Sequence, residues 1–271
     1  MERQNQHNPA PLTDWSWDKR KSIRYVFADI DDTMTTDGKL DAASYASLWA
    51  LTSLGLHVVP VTGRPAGWCD AIARQWPVAG VIGENGALAF WEDAGRIERF
   101  FHPDADAKDS SKLASIRDEV LSVVPNSRVA GDQFARLFDL AIDFAEEEPR
   151  LTLEQAEQIK DIYVKHGATA KVSSIHVNGW FGAWDKKSMV QAFGLKRFGM
   201  EWDALNAASV YLGDSPNDEP LFESFSTSIG VANVSAFLKT MVSHPSFVTE
   251  QPGGAGFAEA IDFLLDVHRI D

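Results

Sequence analysis

In "YVFADIDDTMTTDG" (residues 25–38) an apolar run ends in three carboxylates within four residues, Asp29, Asp31 and Asp32. Like charges at that spacing repel, and carboxylates held together need a cation or a shared proton. If the strand continues through them, Asp29 and Asp31 leave it on one side, because strand side chains alternate with period two. A divalent metal would relieve the repulsion, and hard oxygen donors in an acidic site favour Mg²⁺. The same residues also fit a strand that simply ends in a solvated Asp-rich turn.

Three further stretches bear on the choice. "VTGRP" puts Thr62 at the end of an apolar run, with Gly63 permitting close backbone approach to an anion. It also fits a turn that starts a helix at Pro65. "WDKKSMV" places Lys186 and Lys187 at the start of a helical stretch, as phosphate ligands or as a solvated pair. "YLGDSPND" ends an apolar strand in Asp214, Asn217 and Asp218, which suit a metal site or an Asx turn capping the next helix.

The elements that must position these residues follow from the apolar runs. Residues 23–30, 56–63, 79–86 and 208–215 are largely β-branched or aromatic, and each stops at Asp, Thr or Gly. Helical stretches at 41–54 and 65–76 lie between them. Continuous apolar strands alternating with helices predict a buried parallel sheet, whose ligands sit beyond the carboxyl ends of the strands. The middle differs: a hairpin at 87–101 turning at Asp93-Ala94-Gly95, helices at about 108–124 and 152–166, and strands at 137–145, 168–173 and 174–180. The expected fold is α/β, a Rossmann-like parallel-sheet core with an inserted α+β cap domain. The expected boundaries are a loose tail over 1–20, a core of 21–86 and 185–271, and a cap over 87–184. Trp15 and Trp17 could still pin the tail to the body.

Composition narrows the function. With 45% hydrophobic and 24% charged residues, the 271-residue chain reads as an ordinary soluble globular protein. Its net charge of −14 argues against nucleic acid and anionic membranes as partners, and any anionic substrate would need cations supplied locally. No apolar run approaches the roughly 18 residues that span a bilayer. The first residues lack the apolar core of a signal peptide. The single cysteine, Cys69, precludes an internal disulfide and reads as a buried thiol in a reducing compartment, which places the chain in the cytoplasm.

The four stretches occur in the order DxDxT, (S/T)GRP, Lys, GDxxND. In this they resemble the haloacid dehalogenase (HAD) superfamily, and within it the Cof-like, type IIB branch with a large (C2B-type) cap inserted after the second motif. The resemblance covers nearly the whole chain from about residue 22. "GENGA" (83–87) and "GDSPND" look most like that branch's sugar-phosphate phosphatases, such as mannosyl-3-phosphoglycerate and sucrose phosphatases. The resemblance implies that Asp29 is the nucleophile that takes a phosphoryl group. It implies that Asp31 is the general acid and then the base, and that Thr62, Gly63 and Lys186 hold the phosphate. It further implies that Asp29, Asp31 and Asp214 bind Mg²⁺ with support from Asn217 and Asp218. Lys187 stands where the family has Gly, so either lysine could serve, and Asp32 occupies a place that is often Gly and receives no role.

The expected activity is Mg²⁺-dependent hydrolysis of small phosphate monoesters through an aspartyl-phosphate, with a phosphorylated metabolite as partner. A phosphomutase or phosphotransferase using the same intermediate, or a non-catalytic sugar-phosphate-binding module, are the rival readings. Arg64, Asn85, His176 and Asn178 are candidates for reading the leaving group. Arg64 could equally form a structural ion pair, and His176 and Asn178 could simply be polar strand positions. Asp143 is expected at a strand end, and Glu146-Glu147-Glu148 in a solvated loop.

Overall fold

The computed structural model describes residues 8–106 and 110–269. Residues 1–7 of the expected tail lie outside them. From there the chain runs through β1 (Ala10–Pro11), α1 (Trp17–Ser22), β2 (Tyr25–Ala28), a short hairpin of β3 (Thr35–Thr36) and β4 (Lys39–Leu40), α2 (Ala42–Ser53), β5 (His57–Pro60), α3 (Ala66–Gln75), β6 (Val81–Gly83), and a longer hairpin of β7 (Leu88–Asp93) and β8 (Arg96–Phe101). The inserted part follows as α4 (Ser110–Val123), β9 (Arg128–Val129), β10 (Leu140–Asp143), α5 (Leu153–Lys165), β11 (Thr169–Val172) and β12 (His176–Trp180). The chain then returns through α6 (Lys186–Phe193), α7 (Trp202–Ala207), β13 (Ser209–Gly213), α8 (Glu219–Ser224), β14 (Ser228–Gly230), β15 (Phe247–Val248) and α9 (Gly253–Leu265).

Six strands form one parallel sheet in the order β1-β15-β14-β13-β2-β5. Alternate residues of β2 enter opposite cores. Val26 and Ala28 pack with Leu48, Leu51, Ile261 and Leu264 of α2 and α9, while Phe27 packs with Met189, Phe193 and Leu221 of α6 and α8. A strand covered on both faces has no polar face, which is why its sequence is a continuous apolar run. From β2 the chain leaves toward β5, whereas β13, β14 and β15 extend the other way. The order therefore switches between β2 and β13, and a crevice opens beyond their carboxyl ends.

The inserted part is a four-stranded antiparallel sheet, β11-β12-β10-β9, covered on one face by α4 and α5. On β12, Val177 faces those helices, while His176 and Asn178, two apart, are buried on the opposite face.

Two boundaries differ from those expected. Residues 8–20 are not a loose tail: β1 pairs with β15, and Trp15 is 1% exposed and stacks on Phe247. Burial of Trp15 and Leu12, together with the β1–β15 pairing, offsets part of the chain entropy lost in ordering the segment. The hairpin β7–β8 packs with the core rather than the insertion. β7 pairs with β6, β6 bridges Val61 beyond β5, and Leu88 and Phe90 join the same core as Cys69 and Ile72.

Candidate active site

The crevice collects the residues singled out by spacing. β2 ends at Ala28, and Asp29 continues its ladder by donating its N–H to the Leu212 carbonyl at 2.9 Å. The strand does not reach Asp31. Residues 31–34 form a turn in which Ile30 O accepts from Thr33, Met34 and Thr35. The two carboxylates therefore part company: Asp29 faces Lys186 and Asp31 faces Arg64, instead of leaving one side of a strand.

Lys186 is the first residue of α6, fixed by a cap in which Asp185 Oδ1 accepts from the Ser188 N–H at 2.7 Å. Its buried ammonium donates to Asp29 Oδ1 at 2.7 Å and to Asp218 Oδ1 at 2.9 Å. Lys187 is half-buried and makes neither contact. Asp218 also accepts from the Tyr211 hydroxyl and from the N–H groups of Asp214 and Ser215. Asp214, 1% exposed after β13, accepts from the Thr33 hydroxyl at 3.2 Å and from Asn233 Nδ2 at 3.4 Å. Asn217 is half-buried, and its side-chain oxygen accepts from Ser215 Oγ.

Oxygens of Asp29, Asp214 and Asp218 lie within 4.8 Å of one another. One ammonium cannot neutralise three buried carboxylates. Burial, with Asp218 and Asp31 adding to it, pushes Asp29 up to about 8 against the pull of Lys186. Burial, with Asp218, Asp29 and Asp32 adding to it, raises Asp214 well above the carboxylate range, and the facing carboxylates outweigh burial and hold the proton on Lys186 more tightly. Such a cluster fits a hard divalent cation. Asp218 spends its oxygens on four donors, so Asp29 and Asp214 retain the open lone pairs.

Thr62 is fully buried and its hydroxyl accepts from the Arg64 N–H at 3.0 Å. Gly63 is closely packed: a Cβ there would stand 3.2 Å from the Asn85 amide oxygen, so that side chain would have to give way. Asn85 itself adopts φ 54 and is buried with its Nδ2 unpartnered. Arg64 grips both oxygens of Asp31 (2.7 and 3.0 Å) and bonds Glu146 Oε1 at 2.7 Å across the cap interface. His176 Nε2 holds the other oxygen of Glu146 at 2.8 Å, and Asn178 Nδ2 donates to Asp139 Oδ2 at 2.9 Å. Arg64, His176 and Asn178 are thus bonded to protein carboxylates. With Asp29, Asp31 and Gly63 they enclose a pocket of about 10 Å³, room for roughly one water.

One expectation for the cap is corrected. Glu146 is not simply a solvated loop residue: the hydrogen bond from His176, with the Arg64 charge, depresses its carboxyl to about 2. Asp143 ends β10, as expected, and is buried and paired with Arg128 at 2.8 Å. Sequence reasoning missed Asp132, Arg136 and Asp139. Arg136 bonds both carboxylates and donates to the Gly63 carbonyl at 2.8 Å, locking the cap to the loop after β5. Their i,i+4 and i,i+3 spacing was the available signal. Glu84 has a similar effect: its carboxylate accepts from the N–H groups of Ala66, Leu137 and Phe138.

No protein-family model matches the chain. Solved structures do. The C-terminal domain of Candida albicans trehalose-6-phosphate phosphatase superposes with TM-score 0.71 at 16% identity, covering 98% of this chain and 100% of that one. A HAD/COF-like hydrolase from Plasmodium vivax gives 0.69 at 16% identity (93% and 100%), and the HAD subclass IIB sugar phosphatase BT4131 gives 0.61 at 14% (88% and 98%). The fold is therefore that of the HAD superfamily's Cof-like, type IIB proteins, as the order of the four motifs implied. Among curated sequences, a phosphoglycolate phosphatase of Methanosarcina mazei is 28% identical over 245 residues, 89% of this chain and 96% of that protein.

Proposed function

We propose that the protein is a Mg²⁺-dependent phosphomonoester hydrolase working through a phosphoryl group on Asp29. Its assignment as a phosphatase is supported by the curated relative, the solved hydrolases of this fold and the complete set of four motifs. The observation that carries the finer reading is the buried Asp29–Asp214–Asp218 cluster with a single ammonium inside it. When bound, Mg²⁺ would be held by Asp29 and Asp214 and would neutralise charge on the phosphate.

Asp29 Oδ1 is tied to Lys186, which leaves Oδ2 to attack phosphorus. The P–O bond to the alcohol breaks as Asp31, drawn off Arg64 and protonated when the substrate binds, gives that proton to the leaving oxygen. Lys186, Thr62 and the N–H groups around Gly63 cover the phosphoryl oxygens, so developing charge meets fixed donors. Asp31, now ionised and gripped by Arg64, takes a proton from the attacking water. That water displaces Asp29, and inorganic phosphate leaves. The cap, held by Arg64–Glu146 and Arg136–Gly63, excludes bulk water while this happens.

The partner class is a small phosphorylated metabolite, since the acidic surface disfavours nucleic acid. The buried, unpaired Cys69 fits a cytoplasmic setting. Among the described residues no helix is long and apolar enough to cross a membrane. Phosphate release from a panel of monoesters, with Mg²⁺ or EDTA and with Asp29→Asn, tests the reading. Release should need both Mg²⁺ and Asp29, and unchanged release by Asp29→Asn would defeat it. Release that appears only with a sugar acceptor would favour a mutase.

A further inference from the structure

Beside the catalytic pocket, and sharing Ser173 with it, lies a cleft of about 790 Å³ between core and cap. That is the size of a small-molecule site, commonly ~300–1,000 Å³. Asp214 of the acidic cluster forms its inner end, and Asp32 stands on its wall. Asp32 has φ 57, a left-handed conformation that glycine adopts freely and Asp more readily than most other residues. Its backbone is pinned on both sides: its N–H donates to Thr35 Oγ1 at 3.1 Å, and its carbonyl accepts from Asn233 Nδ2 at 3.0 Å. A half-buried carboxylate is thus carried at a left-handed position on the cleft wall, where it interacts with the cap hydroxyl of Ser174. A retained outlier of this kind beside a reaction centre points to function.

The rest of the lining agrees in character. Asp37 and Glu157 add carboxylates, Thr36 and Ser174 add hydroxyls, and Phe144 and Phe237 add apolar surface. Among the described residues no Lys, Arg or His lines the cleft. The cations nearby stand outside the lining. Arg150, whose charge reaches Asp32, pairs with Glu148 at 3.4 Å, and Lys160 pairs with Glu157 at 2.8 Å. Lys171 sits opposite Asn178 on the cap sheet.

We infer that Asp32 is a specificity-determining residue that accepts hydrogen bonds from an uncharged, hydroxyl-bearing leaving group and rejects leaving groups carrying a carboxylate. This rests on the phosphatase reading above. It sets the chain apart from its curated relative, whose named substrate, phosphoglycolate, bears a carboxylate.

The test begins with p-nitrophenyl phosphate and Mg²⁺. Absence of turnover by folded, metal-loaded protein overturns the phosphatase reading and this one together. Ester pairs differing chiefly in one carboxylate follow: glucitol 6-phosphate against 6-phosphogluconate, and 2-hydroxyethyl phosphate against 2-phosphoglycolate. Each is measured as substrate and as competitor of p-nitrophenyl phosphate. The wild type should prefer the neutral member by about tenfold or more, the effect of one like charge at close range, and Asp32→Asn and Asp32→Gly should bring the ratio within about threefold by lowering KM or Ki for the anionic member. Glycine suits the backbone at this position, so Asp32→Gly keeps the test open if Asp32→Asn folds poorly. Equal handling of both members by the wild type overturns the assignment. So does an unchanged ratio in the folded variants, or no turnover or competition by any of the four esters. In those cases turnover of p-nitrophenyl phosphate leaves the phosphatase reading standing.

Discussion

Replacing Lys186 by Met removes the one cation inside the acidic cluster. The side chain is 6% exposed and bonds two carboxylates at 2.7 and 2.9 Å, themselves 6% and 0% exposed. Removing one partner of a buried ion pair costs about 3–5 kcal/mol, because the other charge stays buried without compensation. The protein can limit this loss by protonating a carboxylate. Asp29 already sits at about 8, above its unfolded value, so the stability it gives is full at low pH and is lost as pH rises through about 8. Loss of Lys186 raises it further. The deficit of Lys186→Met, measured by urea unfolding in EDTA, should therefore approach about 3–5 kcal/mol at pH 8 and shrink clearly at pH 5.5. Lys187→Met, at a half-buried position without these contacts, should stay within about 0.5 kcal/mol of wild type. Turnover by Lys186→Met should fall by about 10²–10³-fold, as when one oriented charge-stabilising donor is lost. A deficit carried by Lys187 instead, or none for Lys186 at pH 8, would refute the reasoning.

Glu146→Gln should cost roughly 1–2 kcal/mol at pH 7, after allowance for solvent screening of a side chain that is 31% exposed. Its folded pKa is depressed to about 2 from 4.5, so that contribution is present above 4.5 and lost as pH falls toward 2. The gap to wild type in urea midpoint should narrow between pH 5 and 3, and a constant gap would count against the ion pair. Trp15→Ala should cost about 3–5 kcal/mol by the same assay, the range for emptying a buried aromatic site. A loss under about 1 kcal/mol would mean the N-terminal segment is not part of the core. Asp31→Asn should slow esters of poor leaving groups more than p-nitrophenyl phosphate. Equal slowing would remove Asp31 from the acid role.

The sheet was legible because parallel strands buried on both faces cannot alternate, and runs such as residues 23–30 advertise that burial. The acidic cluster was legible because every one of its carboxylates follows such a run. What stayed hidden depends on partners distant in sequence. β1 is two residues long, too short to show a period, and is defined only by pairing with Phe247 and Val248. The hairpin at 88–101 has the same local pattern whether it extends the core or founds a cap, and its contacts with α3 decide. Glu146 lies in a run of three glutamates that reads as solvated, and nothing local tells that Arg64 and His176 wait for it. The even spacing of Asp29 and Asp31 suggested one strand face, but the turn at 31–34 separates them.

The most direct measurement is the site of the covalent phosphoryl group. Asp31→Asn, which lacks the base for the water step, is mixed with p-nitrophenyl phosphate and Mg²⁺ and quenched in acid, and its peptides are then mapped by mass. A phosphoryl group accumulating on Asp29, absent in EDTA and absent from Asp29→Asn, is the result predicted here. A label on another residue, or no label from an enzyme that still releases phosphate through steady turnover, would contradict the account.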